Sequence, residues 1–185
     1  TPGRMHACGH DGHTAALLAA ARYLASDCAF DGTLNLVFQP AEEGYGGARR
    51  MIEDGLFHLF QCDAIFAFHN MPGYPVGKFG LLPGHFMASS DSVIIKVTGR
   101  GGHGSMPHLT VDATVVAAHI VVALQTIVSR NVDPRDMAVV TVGGLNAGSV
   151  PNIIPETAEL RLSVRAYSSA VREALRQRIT ELAQA

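Results

Sequence analysis

The chain has 185 residues, enough to bury a core and to form one large domain or two small ones. Its 48% hydrophobic and 16% charged residues are typical of a globular protein, and a formal net charge of -2 gives no sign of a nucleic-acid or anionic-membrane partner. The longest nearly apolar run, 115–124, is interrupted by His119 and is far shorter than the roughly 20 residues that span a bilayer. Three irregularly spaced cysteines predict no disulfide scaffold, so we expect a reducing, cytoplasmic location.

The first half of the chain alternates helix-like and strand-like segments. The predicted elements are helix Thr14–Ser26, strand Thr33–Phe38, helix Gly46–Asp54 and strand Asp63–Phe68. Asp11 or Thr14 is a candidate cap for the first helix. This alternation predicts an α/β fold with a largely parallel sheet, and ligands of such sheets bind where the strands end. Glu42, Glu43 and His69 all lie in polar loops that follow predicted strands.

The second half follows a different order. Its predicted elements are strand Ser92–Thr98, helix Val111–Arg130, strands Met137–Val142 and Thr157–Arg165, and helix Ser168–Ala185. This is the order of a ferredoxin-like α+β domain without its final strand. We therefore expect two domains, 1–86 and 87–185. The absence of an initiator Met and of a cap after Ala185 predicts a fragment of a longer protein.

The segment 5–14 combines a thiol, three imidazoles and a carboxylate, spaced by two glycines. Cys8 and His10 are two residues apart, so in an extended or tight-loop backbone both side chains can lean toward one point. Thiolate sulfur, imidazole nitrogen and carboxylate oxygen are donors that bind zinc, manganese or cobalt-like ions. The segment predicts part of a metal site.

Glu42 and Glu43 form the second informative pair. In an extended segment, neighbouring side chains point to opposite sides, so one carboxylate can bind a metal while the other acts as a general base on water. An isolated acidic pair is more often a solvated turn, and an isolated His69 is more often a satisfied loop histidine. Their joint occurrence with Cys8 and His10 after predicted strands favours a metal centre.

The segment 99–104 matches the dinucleotide fingerprint G-x-G-x-x-G and follows a strand. No helix opens at its third glycine and no ribose-binding acid follows at the expected distance, so the match is weak. A glycine-rich loop that presents His103 to an oxyanion fits better. Asn152 and Arg165 offer an amide and a guanidinium that suit a substrate carboxylate.

Five segments of this chain, in order, resemble the hippurate hydrolase branch of the aminoacylase and carboxypeptidase G-like amidohydrolases. They are Met5–His13 (MHACGHDGH), Gln39–Gly44 (QPAEEG), His69–Pro72 (HNMP), Gly101–Ser105 (GGHGS) and Asn152–Pro155 (NIIP). The resemblance covers essentially the whole chain, and the first two motifs in tandem are highly specific. Similar plant enzymes cleave indole-acetyl amino-acid conjugates.

The resemblance implies a centre of two divalent ions (zinc, manganese, nickel or cobalt). The implied ligands are Cys8, His10, Glu43 and His69, and the implied base is Glu42. It also implies that the second domain is a lid that forms a homodimer, in which His103 reaches the active site of the other subunit. Asn152 and Arg165 are expected to hold the substrate's carboxylate.

The chain departs from the family in length, because members are about twice as long. Their fifth ligand is a histidine in the returning half of the catalytic domain, which this sequence lacks. We therefore predict a metal-dependent amidohydrolase that acts on N-acyl amino acids of the hippurate type, with the fragment alone poorly active. The alternatives are a dipeptidase or N-acetyl-intermediate deacetylase on the same scaffold, a non-catalytic dimerising fragment with an incomplete metal site, and a dinucleotide binder.

Two smaller sets of residues complete the sequence predictions. His6 and His13 are expected to support the ligands or to begin the helix rather than to bind metal. Cys28 and Cys62 are expected in the core.

Overall fold

The structure is a computed structural model that describes residues 2–3, 5 and 7–185. It divides into two compact units, residues 1–78 and residues 79–185, which are described separately. The division lies eight residues before the expected boundary after residue 86. His6 lies outside the described residues, so the expectation for it has no structural counterpart.

The first unit contains three helices joined by extended segments. The helices are α1 (His10–Asp27), α2 (Gly47–Glu53) and α3 (Leu56–Leu59). Helix α1 begins four residues earlier than predicted, and neither Asp11 nor Thr14 caps it. Its N-cap is Gly9, which has a φ of 90° and no side chain to accept a hydrogen bond.

The two strands predicted in this unit, 33–38 and 63–68, are wrong as strands. Both segments run extended, but neither joins a ladder with other described residues. Leu36 is 42% exposed and Phe66 is 91% exposed. A strand is defined by hydrogen bonds to a neighbour, so alternation in sequence is insufficient where no neighbour pairs.

The second unit is an antiparallel sheet covered by helices. Its main elements are β1 (Ser89–Thr98), β2 (Gly102–His103), α4 (Ala113–Asn131), β3 (Ala138–Ala147), β4 (Ile153–Ile154), β5 (Thr157–Ala166) and α5 (Ser169–Gln184). Strand β5 lies between β1 and β3 and is antiparallel to both. The link from β1 through α4 to β3 is therefore a split βαβ unit, which confirms the predicted ferredoxin-like order.

The core of the second unit lies between one face of this sheet and the helices α4 and α5. Along β5 the side chains alternate, so that Leu160 and Leu162 are buried while Arg161 faces solvent. Leu124 of α4 and Leu175 of α5 are fully buried against them. Each such leucine contributes about 1.5–3 kcal/mol through its removal from water.

Helix α4 is the only described helix long and apolar enough to cross a membrane, and one such helix is weak evidence. The packing of α4 explains why the helix is so apolar. Its buried side chains lie in the core of the second unit: Ala117, Ile120, Leu124 and Ile127. Asp112 begins the helix by accepting hydrogen bonds from the main-chain N–H groups of residues 114 and 115. It is a core helix of this unit.

Every buried hydrophobic side chain among the described residues belongs to the second unit. Cys28 and Cys62 are both exposed in the first unit, so their predicted place in the core is wrong. Cys28 ends α1 with a left-handed φ of 44°, which places it on the helix boundary rather than on a packed face. All three cysteines are free thiols.

Candidate metal centre

Cys8 and His10 are held together by the turn that begins α1. Gly9 separates them in a left-handed conformation that residues with a side chain rarely adopt. An added Cβ on Gly9 would also lie 2.8 Å from Oδ1 of Asn70. The glycine therefore permits both the turn and the close approach of a second loop.

Glu42 and Glu43 lie in a turn and not in an extended segment. Ala41 has a φ of 50°, and the N–H of Gly44 donates to the carbonyl of Glu42 at 3.1 Å. Both carboxylates consequently reach the same imidazole: Nε2 of His10 is 3.4 Å from Glu42 Oε2 and 3.5 Å from Glu43 Oε1. The expectation that the two side chains point to opposite sides was wrong, because the turn replaces the alternation of a strand.

His69 enters from the extended segment 64–70. Its Nε2 lies 3.2 Å from the Sγ of Cys8, and its Nδ1–H donates to the carbonyl of Asn70 at 2.6 Å. With the proton held on Nδ1, the lone pair on Nε2 is directed at the thiol. A backbone carbonyl on the other ring nitrogen is the usual support of a metal-binding histidine.

These residues fit a divalent cation by geometry and by charge. One ligand atom each from Cys8, His10 and Glu43 can be chosen so that all three lie within 4.8 Å of one another. Partial burial, followed by the charges of Glu43 and Glu42, raises the pKa of the Cys8 thiol. A cation would relieve this crowding of negative groups, and the combination of sulfur, nitrogen and oxygen donors suits zinc and its neighbours better than magnesium or calcium.

We expect the Gly47→Ala substitution to disrupt the turn that carries both glutamates. An added Cβ would lie 1.6 Å from the carbonyl oxygen of Pro40, a backbone atom that moves only if the turn moves. Overpacking of this kind lowers the free energy of unfolding by about 1–3 kcal/mol, and we expect a contact with a backbone atom to fall at the upper end of that range.

The matched control for that variant is Gly12→Ala in α1, where an added Cβ meets nothing within 4 Å. Chelator competition and thermal unfolding of both variants give the comparison. Gly47→Ala should bind zinc more weakly than the parent and unfold earlier, while Gly12→Ala should match the parent or exceed it. Equal zinc affinity in the two variants would show that the turn adapts.

His103 and Asn152 lie together in the second unit. Strand β2 pairs with β4, opposing His103 to Ile153, and the N–H of Gly104 donates to the carbonyl of Asn152 at 2.8 Å. The N–H of Ser105 donates to Nδ1 of His103 at 3.2 Å, and the Ser105 hydroxyl is 2.8 Å from the same nitrogen. The neutral ring therefore carries its proton on Nε2, an N–H that can donate to an oxyanion.

The glycines of the segment 99–104 are explained by backbone contacts. A Cβ on Gly99 would lie 2.1 Å from the carbonyl oxygen of Val111, and one on Gly104 would lie 3.1 Å from that of Asn152. Helix α4 begins only at Ala113, beyond a short 3-10 helix at 107–109. The loop thus lacks the helix N-terminus that a dinucleotide site needs, which supports the sequence argument against that alternative.

Arg165 lies on a different sheet from the strands beside this pair. It is on β5 opposite Ser90 and Val139 in the three-stranded sheet, whereas Asn152 precedes β4, which pairs with β2 in a separate two-stranded sheet. Arg165 follows Thr157 by eight residues on β5, a path of about 26 Å at about 3.3 Å per residue. Arg165 therefore lies far along β5 from the end that follows β4, and its joint action with Asn152 on one carboxylate stays a prediction.

Two residues in these sites were not singled out from the sequence. Asn70 contacts the loop of Cys8 and the first turn of α1, and Ser105 orients the ring of His103. Asn70 directly follows a predicted ligand and Ser105 lies two residues after a predicted catalytic histidine. Their closeness in sequence to predicted site residues is the signal by which both residues could have been found.

The chain is similar to several known proteins over nearly all of its length. A family model described as peptidase family M20/M25/M40 matches residues 1–185. Hippurate hydrolase of Campylobacter jejuni is 56% identical over 178 residues, which are 96% of this chain and 46% of that protein. N-acetyl-L-cysteine deacetylase of Bacillus subtilis is 46% identical over 177 residues, which are 95% of this chain and 42% of that protein.

A solved structure gives the same result for the fold. A Bacillus subtilis dinuclear metal-binding peptidase of the M20 family matches with a TM-score of 0.68 and 34% identity, over 100% of this chain and 47% of that one. The chain thus spans about half the length of the proteins it matches. The mixed α/β class is confirmed, as part of a catalytic domain together with a lid.

Proposed function

Because this chain belongs to peptidase family M20/M25/M40, we propose that it carries much of the metal centre and the lid of an amidohydrolase that cleaves N-acyl amino acids. The observation that carries the proposal is the convergence of Cys8, His10, Glu43 and His69 from three separate segments of the first unit. The mutual proximity of Cys8, His10 and Glu43, with His69 against Cys8, supports their assignment as ligands.

We assign Cys8, His10, Glu43 and His69 as metal ligands and Glu42 as the general base. Two divalent ions, completed by a ligand from outside these residues, would polarise the amide carbonyl and make an attacking water more acidic. Glu42, exposed beside His10, takes the proton of that water and passes it to the leaving amine. Cleavage then yields a carboxylic acid and a free amino acid.

The lid supplies groups that recognise the rest of the substrate. The Nε2–H of His103 donates to the oxyanion of the tetrahedral intermediate, and its tautomer is fixed by Ser105. Asn152 and Arg165 bind the substrate's carboxylate.

The proposed substrate class is N-acyl amino acids with an aromatic acyl group, as in hippurate. The 56%-identical relative is named for that activity, and the deacetylase at 46% identity supports the alternative of an acetyl group. A hybrid in which these 185 residues replace the matched segment of the Campylobacter jejuni enzyme tests the assignment. Its substrates are benzoyl-, acetyl- and indole-acetyl amino acids and a set of dipeptides.

We expect the hybrid to hydrolyse benzoylglycine fastest. Preference for acetyl amino acids or dipeptides would overturn the assignment of an aromatic acyl group, while the proposal of amide hydrolysis would stand. A folded hybrid that binds metal but hydrolyses none of the substrates would overturn the proposed activity and favour a non-catalytic dimerising fragment. Metal analysis of the hybrid distinguishes this outcome from a failure to assemble the centre.

We also propose that the second unit forms a homodimer through α4 and the outer edge of β3. Val115 and Val122 of α4 are 52% and 69% exposed, and β3 is an edge strand of the described sheet. An apolar helix face beside an unpaired strand edge suits a second copy of the same chain.

The three free cysteines support the reducing, cytoplasmic location already expected.

The dimer is tested by the sedimentation of Val122→Glu. The new charge should convert a dimeric chain into monomers, because an unpaired carboxylate would be buried in the interface. Ala174→Glu on the exposed face of α5 is the matched control and should remain dimeric. A parent chain that sediments as a monomer at all concentrations contradicts the proposal.

A further inference from the structure

Two polar residues beside the candidate ligands have no part in the chemistry proposed above. His13 lies in the first turn of α1, three residues after His10, and Asn70 follows His69. Nε2 of His13 is 2.5 Å from Oδ1 and 3.2 Å from the main-chain N of Asn70. Whether Nε2 donates to Oδ1 or accepts from the N–H, the hydrogen bond ties Asn70 to α1 across 57 residues of sequence.

Asn70 also contacts the turn between the first two ligands. Its amide lies so close to Gly9 that a Cβ there would be 2.8 Å from Oδ1 and 3.0 Å from Nδ2. Gly9 separates Cys8 from His10. The amide of Asn70 thus packs against the backbone that sets the spacing of these two side chains.

The same two residues hold the ring of His69. Its Nδ1–H donates to the carbonyl of Asn70, and its ring centroid lies 4.4 Å from that of His13. The rings of His13 and Phe68 make an edge-to-face contact, with their centroids 6.1 Å apart. His69 is thereby fixed with Nε2 toward the thiol of Cys8.

We infer that His13 and Asn70 form a positioning clamp that assembles the ligand loops before an ion binds. The inference rests on the proposed metal centre and adds two residues that bind no ion themselves. Ligands on separate loops must lose conformational freedom on binding, and a preformed clamp removes part of that cost. Loss of such a support weakens metal binding by roughly 10- to 100-fold.

The test measures metal binding by the chain itself and does not depend on catalysis. Zinc affinity is obtained by chelator competition, and cobalt substitution reports thiolate coordination through its charge-transfer band. The variants are His13→Ala, Asn70→Ala and the double substitution, with His13→Gln as the conservative variant. His58→Ala, an exposed histidine of α3, is the matched control.

Each single substitution should lower zinc affinity roughly 10- to 100-fold and alter the cobalt spectrum. The double substitution should be little worse than His13→Ala alone, because His13→Ala already removes the hydrogen-bond partner of the Asn70 side chain. His13→Gln should recover part of the affinity, since an amide can still hydrogen-bond Asn70, and His58→Ala should match the parent. Circular dichroism checks that α1 remains folded.

The outcomes separate the clamp from the centre. A parent chain that binds zinc, together with variants of equal affinity and unchanged cobalt spectrum, overturns the clamp alone. Additive losses in the double substitution also overturn it, because they would show two independent residues. A parent that binds no ion overturns the metal centre and the clamp with it.

Discussion

Glu42→Gln should abolish amide hydrolysis by the hybrid enzyme while its metal content stays that of the parent. The substitution keeps the size of the side chain and removes the group that accepts the proton of water. General-base catalysis contributes about 10²- to 10⁴-fold, and the same group also protonates the leaving amine, so the loss should reach the upper end. Turnover and metal content are measured on the same preparation.

Glu43→Gln is the matched comparison, because the two carboxylates lie 3.4 and 3.5 Å from the same His10 nitrogen. Their equal reach means that geometry alone does not divide their roles. We expect Glu43→Gln to lose metal and Glu42→Gln to retain it. The reverse result would exchange base and ligand between the two residues, and loss of metal from both would make Glu42 a ligand too.

His103→Ala should lower turnover by about two to three orders of magnitude, the effect of losing one oxyanion donor. Binding of the ground-state substrate should change far less, so the loss should appear in kcat and little in KM. Metal content should be unaffected, because His103 belongs to the other unit of the chain. A loss confined to KM would make His103 a substrate-binding residue instead.

Mixed dimers show whether His103 acts on the other copy. Subunits with His103→Ala and subunits with Glu42→Gln are each expected to be inactive as homodimers. In a mixed dimer, one of the two sites combines an intact Glu42 with an intact His103 from the partner, so activity should return. If mixing restores nothing while sedimentation shows exchange of subunits, His103 acts within its own chain or not at all.

The second unit could be predicted closely from sequence because its own core dictates its elements. Strand β5 was expected at 157–165 and ends at residue 166, and α4 was expected from residue 111 and begins at residue 113. The alternation of buried and exposed residues along β5 and the apolar face of α4 both arise from one buried interface between these two elements. Local pattern and tertiary packing agree there.

The first unit was harder to predict, because its secondary structure depends on segments that are distant in sequence. Segments 33–38 and 63–68 have the alternation of strands but no ladder among the described residues. The start of α1 was missed because Gly9 is its N-cap and offers no side-chain signal. The convergence of Cys8, His10 and Glu43 was nevertheless predictable, because metal chemistry requires those residue types whatever backbone carries them.

The geometry of the candidate site was likewise predicted from the sequence only in part. Cys8 and His10 were expected to converge, and they do so through a left-handed glycine. The orientation of Glu42 and Glu43 was missed, because a turn with Ala41 at positive φ is not encoded by a glycine or asparagine. The assignment of β4 and β5 to two different sheets needed the strand pairing, which sequence spacing alone does not supply.

The distribution of buried side chains has a consequence for how the chain responds to chelators. The second unit has an aliphatic core that should protect its amides from hydrogen exchange, whereas the first unit has no comparable interior among its described residues. An ion bound at the proposed centre would stabilise the first unit in place of a core, so its removal should increase protease cleavage in residues 7–78 only. The lid should survive as a resistant fragment, so one chain would combine a metal-dependent half with a self-sufficient one.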